Sequence, residues 1–222
     1  MKDGRLIVFD GGEGAGKGTV LARLQKEFPP PEVLYTREPG GTPLAEDIRK
    51  ILLSDDGGQM DPKTQFDLFW AARSDHLQHR IRPALFEGKH VICDRFDSST
   101  FAYQICGHKN WPLKNIFWPM RAAHLDCMPA PFYIYLDVDP EEGLRRAHGR
   151  GDENHFDNQA LAFHTRVREG YREFLNLRSP LGHSPLELAQ IDPPIDGRII
   201  NANLPIDEVV ENTIALVRIL LA

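Results

Sequence analysis

The sequence predicts an α/β fold built on a parallel sheet with crossover helices. Three observations carry that expectation. Short apolar, β-branched runs alternate along the chain with stretches of helical period. The first of these runs opens onto a glycine-rich turn that leads into an amphipathic segment. The 222 residues suffice for one domain with a substantial core, and no linker-like stretch divides them.

Taken in order, the first strand is expected at 5–10 (RLIVFD), followed by a helix at 17–28. The prolines at 29–31 make a helix-to-strand connection into a second strand at 32–36 (EVLYT). Helices at 43–54 and 62–87 precede a third strand at 89–94 (KHVICD). Two more, at 97–106 and 113–126, lead to the fourth strand, 131–138 (PFYIYLDV). Helices at 140–148 and 157–177 follow, then a fifth strand at 197–201 (GRIIN) and a closing helix at 206–221. The proline-containing stretch 179–194 reads as an irregular surface loop, so residues 1–222 form a single domain. In open α/β sheets ligands bind beyond the carboxyl ends of the strands, and the motifs of this chain all fall at such ends.

A net charge of −6 argues against broad nucleic-acid binding, although locally gathered cations can still hold phosphate. The apolar runs are too short to span a bilayer, and the early glycines leave no room for a signal peptide. Cys93, Cys106 and Cys127 fit no zinc or redox spacing and read as reduced thiols of a cytoplasmic protein. His76 and His79, one helical turn apart without a partner cluster, read as a surface pair.

Residues 11–19 run Gly11, Gly12, Glu13, Gly14, Ala15, Gly16, Lys17, Gly18, Thr19. This is the P-loop pattern in the strand–loop–helix setting it requires. Glycines let successive backbone N–H groups turn inward as an anion nest, and the helix N-terminus adds its own unpaired N–H groups. Lys17 supplies a mobile point charge for the β- and γ-phosphates of a nucleotide. Gly18 stands where a Ser or Thr usually ligates Mg²⁺, so the ion is implied without an assured ligand from that position.

Other motifs bear on what the phosphate is transferred to. In TREPGGT, Arg37 is presented at a strand end, either to grip phosphate or to form a surface pair with an acid. Asp94 and Arg95 close the third strand: the acid can order Mg²⁺ directly or through water and Arg95 can bridge phosphates, or the two form a strand-end ion pair. Phe69 and Arg73 share one helix face and could stack a base and bond its edge, although spacing alone favours core. The segment 97–104 reads as a capped helix start whose hydroxyls and amide could read a base edge. Arg145, Arg146 and Arg150, set among glycines, suit either a mobile lid at about 147–158 or a solvated helix end.

Together these stretches resemble the thymidylate kinase family of P-loop nucleoside monophosphate kinases. The similarity runs in order through FDGGEGAGKGT, TREPGGTPLAEDIRKILL, FDLFWAAR, VICDRFDSSTFAYQ, FYIYLDVDPEEGLRRAHGRG and IINANLPIDEVV. The resemblance implies a P-loop NTPase fold, a parallel five-stranded sheet with helices on both faces, usually assembled as a homodimer. It implies ATP-dependent phosphorylation of dTMP to dTDP with Mg²⁺; a kinase for another pyrimidine monophosphate, or a P-loop switch without an acceptor, are the alternatives. By the same resemblance the 11–19 backbone and Lys17 hold ATP phosphates, and Asn201 and Ala202 lie near its adenine. Arg37 and Arg95 hold the acceptor phosphate, Phe69 stacks the thymine and Arg73 bonds its edge. Glu13 meets the sugar 3′-hydroxyl, Tyr103 lies against the deoxyribose, and Ser99, Thr100 and Gln104 fall in the base-contacting segment. Because Ala15 stands where some members carry a P-loop arginine, the catalytic arginine is expected to be Arg150 of the lid, alongside Lys17 and Arg95.

Overall fold

The computed structural model describes residues 4–147, 155–156, 159–177 and 193–222. Five strands form one parallel sheet in the order β2-β3-β1-β4-β5: β1 (Leu6–Gly11), β2 (Val33–Arg37), β3 (His90–Asp94), β4 (Phe132–Asp137) and β5 (Asp196–Asn201). The expected strands are all present, each within two residues of its predicted bounds. Most of the lid at 147–158, including Arg150, and most of the loop at 179–194 lie outside the described residues.

All six residues of β1 are buried, and their alternation sends them to opposite faces of the sheet. Leu6 and Val8 enter a core with Trp70, Phe101, Phe117 and Phe174. Ile7 and Phe9 enter another with Val20 and Leu24 of α1 (Lys17–Glu27) and with Val209 and Val217 of the last helix (Ile206–Leu221). Helices therefore cover both faces, as the near-continuous apolar strands require.

α2 (Pro43–Leu53) begins with Thr42 accepting from the Ala45 N–H at 3.3 Å, with Pro43 at the first helical position. A short α3 (Asp55–Gln59) was not expected, since it contains two glycines. It is held by Ser54, which accepts from the Gly57 N–H, and by Gln65, which donates to the Gly57 carbonyl at 2.8 Å. The long helix expected at 62–87 is α4 (Pro62–His76), a wider π segment (Leu77–Ile81) and α5 (Arg82–Phe86). Likewise α6 (Asp97–Thr100) continues as a π segment (Phe101–Gly107). Then come α7 (Lys114–Leu125), α8 (Pro140–Ala147), α9 (Leu161–Asn176) and α10 (Ile206–Leu221). Gly170 lets α9 lie close on the π segment: a Cβ there would come within 2.8 Å of the Cys106 Cβ and 3.0 Å of the Ala102 Cα. No described helix is long and apolar enough to cross a membrane.

Candidate active site

The carboxyl ends of β1, β2 and β3 lie side by side, with Arg37 opposite Asp94 and Phe9 opposite Asp94 in register. The loops that leave these three strands therefore meet at one edge of the sheet. The loop after β1 is shaped by Gly14 (φ 67) and Gly16 (φ 83), both left-handed. A Cβ on Gly14 would overlap the backbone carbonyl of Gly143 in α8, so the loop is seated directly on that helix. Ala15 is buried; Gly12, Glu13 and Lys17 are partly open, and Gly18 and Thr19 are exposed. Lys17 Nζ donates to the Gly11 carbonyl at 3.0 Å. Burial, reinforced by the nearby Arg95 charge, lowers the Lys17 pKa against the pull of Asp94, Glu13 and Asp10.

Arg95 carries φ 67, which is uncommon for a residue with a side chain. Its N–H donates to the Phe9 carbonyl at 2.8 Å, and its carbonyl accepts from the Cys93 thiol at 3.1 Å. That backbone turns the guanidinium into a cluster. It donates to Glu13 Oε1 (3.2 Å), Tyr171 Oη (3.1 Å), and more weakly to Ser99 Oγ and Tyr103 Oη (3.4 Å each). Tyr103 also donates to Glu13 Oε1 at 2.8 Å. Burial opposes the Arg95 charge, but Tyr103, Tyr171, Glu13 and Asp94 together raise its pKa well above the usual value. Burial likewise acts to raise Glu13, yet Arg95, Lys17 and the Tyr103 hydroxyl outweigh it and hold the carboxyl down at about 2. Beneath them Asp10 accepts from the Ser98 hydroxyl and from Ser99 Oγ (2.7 Å), and burial raises its pKa.

β2 ends in Arg37, which is half exposed and donates to Glu46 at 3.0 Å; Glu46 also accepts from the Gly41 N–H of the turn that follows. Glu38, by contrast, is buried. One of its oxygens accepts from Arg73 Nε at 2.8 Å and the other faces His76 Nδ1 at 3.1 Å. Arg73 is also fully buried, donates to Thr100 Oγ1 at 3.1 Å and lies over the rings of Trp70 and Phe96. His76 thus departs from its reading as a surface residue; only His79 is exposed. The ring is drawn inward by an acid from a different element, which helical spacing cannot reveal.

These parts enclose one cleft. Glu13, Arg37, Phe69, Arg73, Arg95, Ser99, Thr100, Tyr103 and Gln104 all line it, as does Asp94. Phe69 is partly buried against the core while keeping a place on the wall. Arg49, Glu38, Phe96 and Phe156 line it too and were not singled out from sequence. Arg49 donates to the Pro39 carbonyl at 2.9 Å. Among the described residues three polar atoms at this wall are buried without a partner: Asp94 Oδ1, Arg73 Nη1 and Gln104 Nε2. A second hollow lies on the other side of the glycine loop, lined by Gly14, Gly16, Arg146 and residues 203–206. Asn201 and Ala202 sit beside it rather than on its wall: the Asn201 side chain accepts from Asn203, and the Ala202 carbonyl accepts from Arg146 at 2.8 Å.

A phosphate-binding loop flanked by two hollows, one of them lined by arginines and an aromatic ring, defines a P-loop phosphotransferase whose acceptor is itself a nucleotide. The comparisons give the family. The thymidylate kinase family model matches residues 9–180. The thymidylate kinase of Bacillus velezensis is 43% identical over 178 residues, 78% of this chain and 82% of the relative. That of Clostridium novyi is 36% identical over 215 residues, 95% of this chain and 97% of the relative. The crystal structure of thymidylate kinase from Ehrlichia chaffeensis superposes with a TM-score of 0.69 at 26% identity, covering 97% of this chain and 99% of that one. The chain belongs to the thymidylate kinase family, ATP-dependent kinases of dTMP.

Proposed function

We propose that this chain, as one domain, moves the γ-phosphoryl group of ATP directly and in line onto a phosphate oxygen of dTMP, giving dTDP and ADP. The acceptor is already anionic, so no general base is needed. Alignment and charge neutralisation carry the chemistry. The observation that supports this reading best is the single cleft shared by Arg37, Arg95, Phe69, Arg73 and Gln104, next to the loop that carries Lys17.

In this reading the acceptor phosphate lies between Arg37 and Arg95. The sugar meets Glu13 and Tyr103, and the base stacks on Phe69. Arg73 Nη1 and Gln104 Nε2, unpartnered among the described residues, turn to its edge, with Ser99 and Thr100 alongside. The ATP phosphates lie on the 11–19 backbone under Lys17, which leaves the Gly11 carbonyl to reach them. Its adenine falls toward Asn201, Ala202 and the hollow beyond them. Arg150 reaches the transferring group when the lid at about 147–158 closes. Asp94 Oδ1, buried and unpartnered among the described residues, would hold an Mg²⁺ ion directly or through water, and the chemistry such an ion would supply is charge neutralisation. The assembly is taken as a cytoplasmic homodimer.

An ADP-coupled assay with a panel of monophosphate acceptors tests the reading, with Lys17→Ala as control. Turnover is expected with dTMP foremost, and the variant should lose at least about a hundredfold in kcat. ATP hydrolysis that is indifferent to acceptor, or preference for another pyrimidine monophosphate, overturns it.

A further inference from the structure

His76 does not line the cleft, yet it sits at the junction of the two elements that would grip the proposed acceptor. Its Nδ1 faces Glu38 Oε1 at 3.1 Å and its Nε2 faces Thr36 Oγ1 at 2.7 Å. Glu38 Oε2 in turn receives Arg73 Nε, and Arg73 reaches Thr100. All of this is buried except at the Thr36 end. The turn is moulded onto the ring: a Cβ on Gly41 (φ 88) would collide with His76 Nε2 and stand 2.6 Å from Thr36 Oγ1. A carboxylate paired with arginine can only accept, so Nδ1 carries the proton, and in the neutral ring Nε2 accepts the Thr36 hydroxyl.

We propose that His76 is a positioning residue for base recognition. It fixes the rotamer of Glu38, which orients the Arg73 guanidinium so that Nη1 faces the acceptor base. This deepens the proposed function and rests on Arg73 as the base-edge donor. A guanidinium only donates, so it favours thymine, whose 4-position is a carbonyl, over cytosine, whose 4-position is an amino donor. Loosening Arg73 therefore weakens discrimination more than it weakens transfer.

Two amide isosteres separate the contacts. His76→Asn places an N–H near Nδ1 and keeps Glu38; His76→Gln places one near Nε2 and gives Glu38 up. With His76→Gln, KM for dTMP should rise about tenfold and the dTMP-to-dCMP ratio of kcat/KM fall about tenfold, with KM for ATP unchanged. His76→Asn should stay near wild type in both. If His76→Gln behaves as wild type while Arg73→Met loses discrimination, the role of His76 is refuted and that of Arg73 stands. If Arg73→Met itself keeps discrimination, the base-reading assignment falls and takes this inference with it. Equal damage by both isosteres, extending to ATP, marks a merely structural histidine and also refutes it. The wild-type protein gives a check that needs no variant: ¹⁵N-edited NMR should find His76 as the Nδ1–H tautomer, and an Nε2–H tautomer overturns the scheme.

Discussion

Replacing Glu13 by glutamine removes one negative charge from between Arg95 and Lys17 while keeping the shape of the side chain. The carboxyl sits 3.2 Å from Arg95 and 2.8 Å from the Tyr103 hydroxyl, and its side chain is only 14% exposed, so the interaction is weakly screened. Burial raises its pKa, but the cations prevail and bring it from 4.5 to about 2. A depressed carboxyl binds fewer protons folded than unfolded, so its stabilisation is complete above about pH 4.5. It is lost as pH falls toward 2. The full difference corresponds to about 3 kcal/mol, of which about 2 kcal/mol disappears between roughly pH 6 and pH 3. Urea unfolding of wild type and Glu13→Gln over that range, at one protein concentration, isolates the effect as a difference. The two unfolding free energies should converge as the solution is acidified. A gap that stays constant with pH would show that Glu13 titrates as an ordinary surface acid and would remove the electrostatic basis for placing Arg95 beside it.

Two further substitutions address the frame of the site. Gly14→Ala puts a methyl group into the Gly143 carbonyl at a left-handed position, so the loop must lift off α8; kcat should fall at least about tenfold with a lowered Tm, and a fully active, equally stable variant would refute the seating. Arg121→Met leaves Asp97 buried without its ion partner 2.8 Å away and should cost about 3–5 kcal/mol in urea unfolding, part of it recovered by adding Asp97→Asn; a loss under about 1 kcal/mol would refute the importance of the pair.

The parts of the molecule legible in the sequence are those whose signals are local. Strands buried on both sides read as unbroken apolar runs, so LIVFDG and FYIYLD declare themselves, and the loop between β1 and α1 is fixed by its own glycines. The helix expected at 97–106 is present, but its widening over Phe101–Gly107 could not be read. All seven of its residues are buried, so no polar face marks a period, and the widening is set by packing against α9. His76 was misjudged for a related reason. It looks like a surface residue until Glu38 arrives from a distant segment, thirty-eight positions away, and makes a buried hydrogen bond possible. Arg49 and Phe156 enter the cleft wall only through tertiary placement. The nine residues expected at the acceptor do share one cleft because the strands that carry or precede them end at the same edge of the sheet.

The left-handed Arg95 explains why that edge can do more than collect cations. Holding a long side chain at φ 67 costs on the order of 1–3 kcal/mol, and the conformation persists because the Phe9 carbonyl and the Cys93 thiol fasten the backbone on both sides. A relaxed β-strand geometry would send the guanidinium away from Glu13, Tyr103 and Tyr171. In the observed geometry those groups share the charge before any phosphate is present, so the guanidinium is already oriented and partly desolvated. In the proposed function an incoming phosphate would exchange partners with Glu13 and the hydroxyls rather than strip a hydrated arginine from solvent. On the proposed mechanism, which uses no general base, that reorganisation would be met during folding and the field would be in place when charge moves.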